Sequence, residues 1–91
     1  MNLQILFENI HSSPELESLV RSKFAKLEKY NHNFDITVTF LVQDKKNSIK
    51  IKVHIPHNRY KVITIYGKDF YKMIPKSVQA TSELFKKLIK K

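Results

Sequence analysis

One stretch of strict alternation between apolar and polar residues constrains the fold of this chain most. From Ile49 to Ile55 every second residue is apolar, and Lys50, Lys52 and His54 lie between them. A period of two places one side of an extended chain in a core and leaves the other side in solvent. The stretch therefore predicts a half-buried β-strand, which needs neighbouring strands to cover its apolar side.

Three other stretches show the same alternation. They cover residues 3–7, 36–42 and 60–66. Polar turns over residues 43–48 and 56–58 separate the last three of the four strands. We therefore predict four strands, three of them in succession over residues 36–66.

Two segments have the spacing of a helix instead. The first begins where Ser13 can cap the free backbone N–H groups and Pro14 can take the first helical position. Its apolar residues continue at helical spacing to Tyr30, and residues 31–33 end it. The second follows Asp69, a potential cap, and extends to the end of the sequence.

Pro75 interrupts the second helical segment. Proline has no backbone N–H and clashes with the preceding helical turn. We therefore predict one of two arrangements. Either a short turn over residues 70–74 precedes a helix that starts at Pro75, or the helix is kinked there.

The predicted order of elements is β-α-β-β-β-α. This order is typical of the α+β class, here with one four-stranded sheet and two helices packed on one face. The chain has 91 residues, a length that suits one domain and one core. We expect residues 1–91 to form a single domain.

Charge and residue usage indicate the class of function. The chain has 17 Lys and Arg against 8 Asp and Glu, a net charge of +9, which favours a polyanionic partner. It has no cysteine and one glycine, which excludes thiolate chemistry, zinc ribbons and glycine-rich phosphate loops. His54 and His57 lack a third ligand for a metal. We expect no catalytic site, metal, cofactor or small-molecule substrate.

The N-terminal segment is too short and too polar for a signal-peptide core, and the sequence contains no run of 18 apolar residues. We therefore expect a cytoplasmic protein with no membrane partner.

The polyanion that we expect this domain to bind is RNA, and the candidate RNA-binding residues are cations on the outer faces of the two helices. Lys23 lies at the edge of the first apolar stripe, where its stem can be buried while its ammonium group reaches solvent. Point charges on rigid helices suit contacts to phosphates. The full set is Arg21, Lys23, Lys26, Lys29, Lys76, Lys86, Lys87 and Lys90.

The uncovered face of the sheet is a second candidate surface. Tyr60 and Tyr66 are expected on the same face as Lys50, Lys52 and His54. Tyrosines among cations can stack unpaired bases, as in sheet-based binders of single-stranded nucleic acid.

Two motifs carry a resemblance to a known family. One is the segment KFAKLEKY from Lys23 to Tyr30, preceded by Leu16 and Val20. The other is Gly67-x-Asp69-x-Tyr71-x-x-Ile74 at the start of the last helix. With the β-α-β-β-β-α order, they resemble the short form of the ribosome hibernation-promoting factor family, also called ribosome-associated inhibitor or ribosomal subunit interface proteins.

The resemblance implies a stress-response translation inhibitor. Such a protein binds 16S-type rRNA of the small ribosomal subunit, in the mRNA/tRNA channel near the decoding centre, and is a monomer off the ribosome. The extra domain with which long members pair ribosomes is expected to be absent.

Residue by residue, the resemblance implies rRNA contacts by Lys23, Lys26, Lys29 and Lys87, which match basic positions of the family. Ala80 and Glu83 instead stand where members commonly have lysine and arginine. Two alternatives stay open. The chain could bind single-stranded nucleic acid through its tyrosine-bearing sheet face, or serve as a protein-interaction module on the same fold.

Overall fold

The computed structural model describes residues 2–30, 34–55 and 59–89. The expected β-α-β-β-β-α order is confirmed. The predicted helix end at residues 31–33, the turn at residues 56–58 and Lys90 lie outside the described ranges. The elements are β1 (Asn2–Glu8), α1 (Pro14–Phe24), a 3-10 helix (Ala25–Tyr30), β2 (Asp35–Gln43), β3 (Lys46–Ile55), β4 (Arg59–Gly67) and α2 (Phe70–Ile89).

The four strands form one mixed sheet in the order β1-β2-β3-β4. Strand β1 is parallel to β2, and the other two pairs are antiparallel. The register aligns Ile5, Val38, Ile51 and Ile63 as one row across all four strands. Such rows make one side of the sheet apolar, as the alternation in the sequence predicted.

Both helices bury their apolar stripes with this side of the sheet. From α1, Leu16, Val20 and Phe24 join the core, and from α2, Ile74 and Phe85 do so. The opposite side of the sheet carries the alternate residues and has no covering helix within the described part of the chain.

The helix starts follow the predicted caps. The backbone N–H of Leu16 donates to the Ser13 side-chain oxygen at 3.2 Å, with Pro14 in the first helical position. The backbone N–H of Tyr71 donates to Asp69 Oδ1 at 2.9 Å. These side chains satisfy backbone donors that have no partner within the helix.

The expectation that a new helix begins at Pro75 is wrong, because α2 runs from Phe70 and contains Pro75. Two features start the helix earlier. Asp69 caps the turn with both its side chain and its carbonyl oxygen, and Met73 and Ile74 are buried in the core just before the proline. These interactions favour a helical turn ahead of the proline despite its missing donor. A kink at Pro75 stays a prediction.

The turn between β2 and β3 is shorter than predicted. Only Asp44 and Lys45 form it, with φ angles of 53° and 62°. Two successive residues with positive φ are typical of the type I′ turn, whose twist matches that of the two strands. The polar residues 46–48 therefore belong to β3 and not to a loop.

None of the helices in the described residues is both long and apolar enough to cross a membrane.

Candidate nucleic-acid interface

A groove of about 330 Å³ lies between two walls, one formed by the end of α1 with the 3-10 helix and the other by α2. Four lysines line it, from both sides, with a single carboxylate. Its lining residues are Lys23, Lys26, Leu27, Lys29, Pro75, Val78, Gln79, Ser82, Glu83 and Lys86. We call it the lysine groove.

Helix geometry brings three of these lysines to the same wall. Lys23 lies in the last turn of α1, and Lys26 and Lys29 follow in the 3-10 helix. A 3-10 helix has three residues per turn, so residues three apart lie directly above one another. The step of three therefore aligns the lysines along the groove.

The same step of three anchors this wall in the core. Phe24 and Leu27, one position after each of the first two lysines, are buried, and Tyr30 is half-buried. The cationic row and the apolar row thus run side by side along one segment. Lys23 is itself half-buried, as predicted for a lysine at the edge of the stripe.

Tyr30 ties this wall to α2. Its hydroxyl lies 2.8 Å from the Ser82 hydroxyl. Its ring packs edge-on against Phe85, with the centroids 5.5 Å apart. The spacing of the two walls therefore depends on specific contacts and not only on general packing.

The groove carries an excess of positive charge. Lys26, Lys29 and Lys86 are exposed, whereas Glu83 is the one acidic residue in the lining. In the described residues, no ion pair joins any of the four lysines to a carboxylate. The Gln79 amide donates to Glu83 Oε2 at 3.4 Å. An exposed cationic groove of this kind suits phosphate groups of a polyanion.

The structure brings half of the predicted site residues together. Lys23, Lys26, Lys29 and Lys86 all line the lysine groove. Sequence reasoning did not identify the residues of α2 that complete it, Pro75, Val78, Gln79, Ser82 and Glu83. Their spacing of three and four along a helix was the available signal.

The other predicted site residues lie elsewhere. Arg21 forms an ion pair with Glu17 at 3.3 Å, its other guanidinium nitrogen lies 3.5 Å from the Leu3 carbonyl oxygen, and it lines a different hollow. Lys76 and Lys87 are exposed on α2 but do not line the groove. Lys90 lies outside the described residues.

The uncovered sheet face has the predicted composition. In the β3–β4 register His54 is opposite Tyr60, and Lys50 is opposite Thr64. The Lys52 ammonium lies 4.5 Å from the centroid of the Tyr60 ring. Cations and aromatic rings thus do share this face.

The residues suited to metal binding do not gather. Within residues 2–30, 34–55 and 59–89, no three His, Asp or Glu side chains are close enough together to hold an ion. Of the two histidines considered in the sequence, His54 lies on β3 and His57 is outside the described ranges.

Two solved structures have a similar fold. A crystal structure of the Thermus thermophilus Protein Y N-terminal domain matches at 22% identity with a TM-score of 0.81, over 97% of this chain and 99% of that one. A ribosomal subunit interface protein from Coxiella burnetii matches at 18% identity with a TM-score of 0.86, over the full length of both chains.

Sequence comparison gives a family. Among curated protein sequences, none matches this chain significantly. Residues 3–91, however, match the family model described as Sigma 54 modulation protein / S30EA ribosomal protein. The match covers nearly the whole chain and agrees with the resemblance seen in its motifs. The chain therefore belongs to the Sigma 54 modulation protein / S30EA ribosomal protein family, a family of ribosome-associated hibernation and modulation factors.

Proposed function

We propose that this protein inhibits translation by binding small-subunit rRNA in the mRNA/tRNA channel near the decoding centre, with the lysine groove as its contact surface. It acts in the cytoplasm, where ribosomes are found, and needs neither a cofactor nor a chemical step. Family membership supports a ribosomal partner. The name of the Coxiella burnetii protein, ribosomal subunit interface protein, supports a position between the subunits.

One observation carries the choice of surface: Lys23, Lys26 and Lys29 on one wall and Lys86 on the other face the same groove. Folded rRNA presents closely spaced phosphates on a rigid surface. Cations fixed on two packed helices can match that spacing, and they position a protein without reading bases. Inhibition then follows from occupancy, because mRNA and tRNA require the same space.

The departures from the family pattern concern α2. Glu83 places a carboxylate in the groove where members commonly have arginine. Lys87 follows Glu83 by one helical turn, and Lys76 precedes it by two. Both are exposed, so they can offset the Glu83 charge in the field that an approaching phosphate meets.

Competition on the ribosome tests the proposal. The protein should co-sediment with purified small subunits in a sucrose gradient and stop in-vitro translation at near-stoichiometric amounts. Subunits that already hold mRNA and tRNA should not bind it. Undiminished binding to filled subunits would contradict occupancy of the channel. If the protein binds single-stranded nucleic acid but not ribosomal subunits, the tyrosine-bearing sheet face is favoured as the binding surface. If it binds only another protein, a protein-interaction module is favoured.

A further inference from the structure

The uncovered sheet face ends, beside the β2–β3 turn, in an exposed tyrosine among lysines. The Tyr66 side chain is 72% exposed, more than any other large hydrophobic side chain in the described residues. It lines two adjoining hollows. One, of about 430 Å³, is also lined by Lys46 and Lys50, and the other, of about 840 Å³, by Lys45, Lys46 and Lys68.

Charge decides what kind of partner suits this surface. Among the residues that line the two hollows, four are lysines and only Asp44 is acidic. A second copy of the chain would bring lysines against lysines, which disfavours self-association through this face. An anionic partner fits the charge, and the exposed ring calls for a partner with a flat, apolar face. Single-stranded RNA has both features, since every base has a π-face beside its phosphate.

We infer that this end of the sheet, which we call the Tyr66 surface, binds single-stranded RNA. The Tyr66 ring stacks on an unpaired base, and the surrounding lysines contact the phosphates on either side. Short side chains flank the ring. Ser48 is opposite Tyr66 in the register, and Thr64 precedes it on the same face of β4. Ser48 is itself buried, and both residues line the smaller hollow beside the Tyr66 ring, where the base would lie.

The other tyrosine of this face is a poorer platform. The Lys52 ammonium already lies over the Tyr60 ring, 4.5 Å from its centroid. A base that stacked on this face of the ring would have to displace that cation. Tyr60 is also less exposed, at 57%. The two rings are six residues apart, roughly 20 Å along the strand, so they cannot hold the same base.

The Tyr66 surface is separate from the lysine groove. The two sets of lining residues have no member in common. The groove lies between the helices, whereas Tyr66 is on the side of the sheet that no described helix covers. The two surfaces are therefore distinct sites, and the inference stands independently of the proposed function.

Two labelled oligomers of equal charge test the inference. One is a single-stranded RNA of about ten nucleotides, and the other is the same ribose-phosphate chain without bases. Affinities are measured by fluorescence anisotropy. All proteins carry Lys26→Gln and Lys86→Gln, which weaken the groove. The test variant adds Tyr66→Leu. The matched control adds Tyr71→Leu, which changes a tyrosine of α2 that is 51% exposed.

The RNA should bind more tightly than the abasic chain. Tyr66→Leu should weaken RNA binding about 5- to 150-fold and remove this preference, because stacking on an aromatic ring stabilises a bound base. Tyr71→Leu should change the affinity for neither oligomer. Lys46→Gln with Lys68→Gln should weaken both oligomers and flatten their salt dependence.

Three results would overturn the inference. The first is an equal effect of Tyr66→Leu and Tyr71→Leu on RNA affinity, and the second is complete loss of RNA binding from the groove substitutions alone. For the third, polyglutamate serves as an anionic polymer without bases. It could bind as tightly as RNA, with an affinity that depends on Tyr66. If Tyr66→Leu fails to fold, NMR of the wild-type chain replaces it. The Tyr66 ring protons should then shift with RNA and stay unshifted with the abasic chain. Shifts of equal size would contradict stacking.

Discussion

The hydroxyl oxygens of Tyr30 and Ser82 lie 2.8 Å apart, so a hydrogen bond joins the end of the 3-10 helix to the middle of α2. It is half-buried and connects residues 52 positions apart in the sequence. The two walls of the lysine groove are thus fastened at one end by this polar contact and by the packing of Tyr30 on Phe85.

Tyr30→Phe should lower the free energy of unfolding by about 0.5–1.5 kcal/mol, since it removes one hydrogen bond and keeps the ring. Ser82→Ala should have a similar effect. The double variant should cost less than the sum of the two, because both remove the same interaction. Urea denaturation measures all three. Tyr71→Phe, which removes the hydroxyl of an exposed tyrosine, is the control and should be neutral. Additive losses would show that the bond contributes nothing.

Gly67 permits close packing of α2 against the end of β4. A Cβ atom at this position would lie 2.8 Å from Met73 Cγ and 3.0 Å from Met73 Sδ. Met73 is buried, so its side chain has little room to move. Gly67→Ala should therefore destabilise the fold by about 1–3 kcal/mol in a denaturation experiment.

The background Met73→Ala is the control for this clash. With the Met73 side chain removed, Gly67→Ala should be neutral or slightly stabilising, by up to about 1 kcal/mol, because alanine restricts the unfolded chain. The φ angle of Gly67 is not positive, so the backbone tolerates a Cβ atom. An equal loss in both backgrounds would point to backbone strain and away from Met73.

Pro75 lies inside α2, where a proline is expected to cost stability. The helix is continuous through it, so its missing N–H deprives the Tyr71 carbonyl oxygen of its donor four residues later. Pro75→Ala restores that donor and should raise the free energy of unfolding by up to about 2 kcal/mol, after allowance for the greater freedom of the unfolded chain. Thermal unfolding measures it. A clear loss of stability would mean that the proline ring itself makes an important contact.

Local patterns predicted the strands well, because alternation such as that from Ile49 to Ile55 reports directly which side is buried. They were wrong about the start of a helix at Pro75, because the cap that Asp69 provides and the burial of Met73 outweigh a single missing backbone donor. Where a helix starts depends on the cap and on the burial of the residues near its start, whereas the proline rule considers only the effects of the proline itself.

The candidate site was predictable on the wall that carries Lys23, Lys26 and Lys29, but on the α2 wall only at Lys86. The step of three in Lys23, Lys26 and Lys29 is visible in the sequence, although the 3-10 geometry that aligns these lysines is not. Ser82 and Glu83 face that wall because of the way α2 packs, to which the contacts of Tyr30 with Ser82 and Phe85 contribute. The spacing of three and four places these residues on one face of α2, but contacts between distant residues decide which surface that face meets.

The salt dependence of ribosome binding tests whether the lysine groove contacts phosphates. Each phosphate that a lysine neutralises contributes roughly −0.7 to −0.9 to the slope of log affinity against log salt. The four lysines of the groove should therefore give a slope of about −3 to −4, steeper if Lys76, Lys87 or Lys90 also contacts phosphate. Lys26→Gln should make it shallower by nearly one unit. Glu83→Lys should make it steeper by a similar amount, because it adds a cation to the groove.

The matched control is Lys72→Gln, which removes the same charge from an exposed residue of α2 outside the groove. It should leave the slope unchanged, since only phosphates in contact release their counterions. All three substitutions are at exposed helical positions, where effects on stability are usually within about 0.5 kcal/mol. Loss of folding should therefore not obscure the comparison. Equal slopes for Lys26→Gln and Lys72→Gln would show that net charge, and not the groove, controls binding to the ribosome.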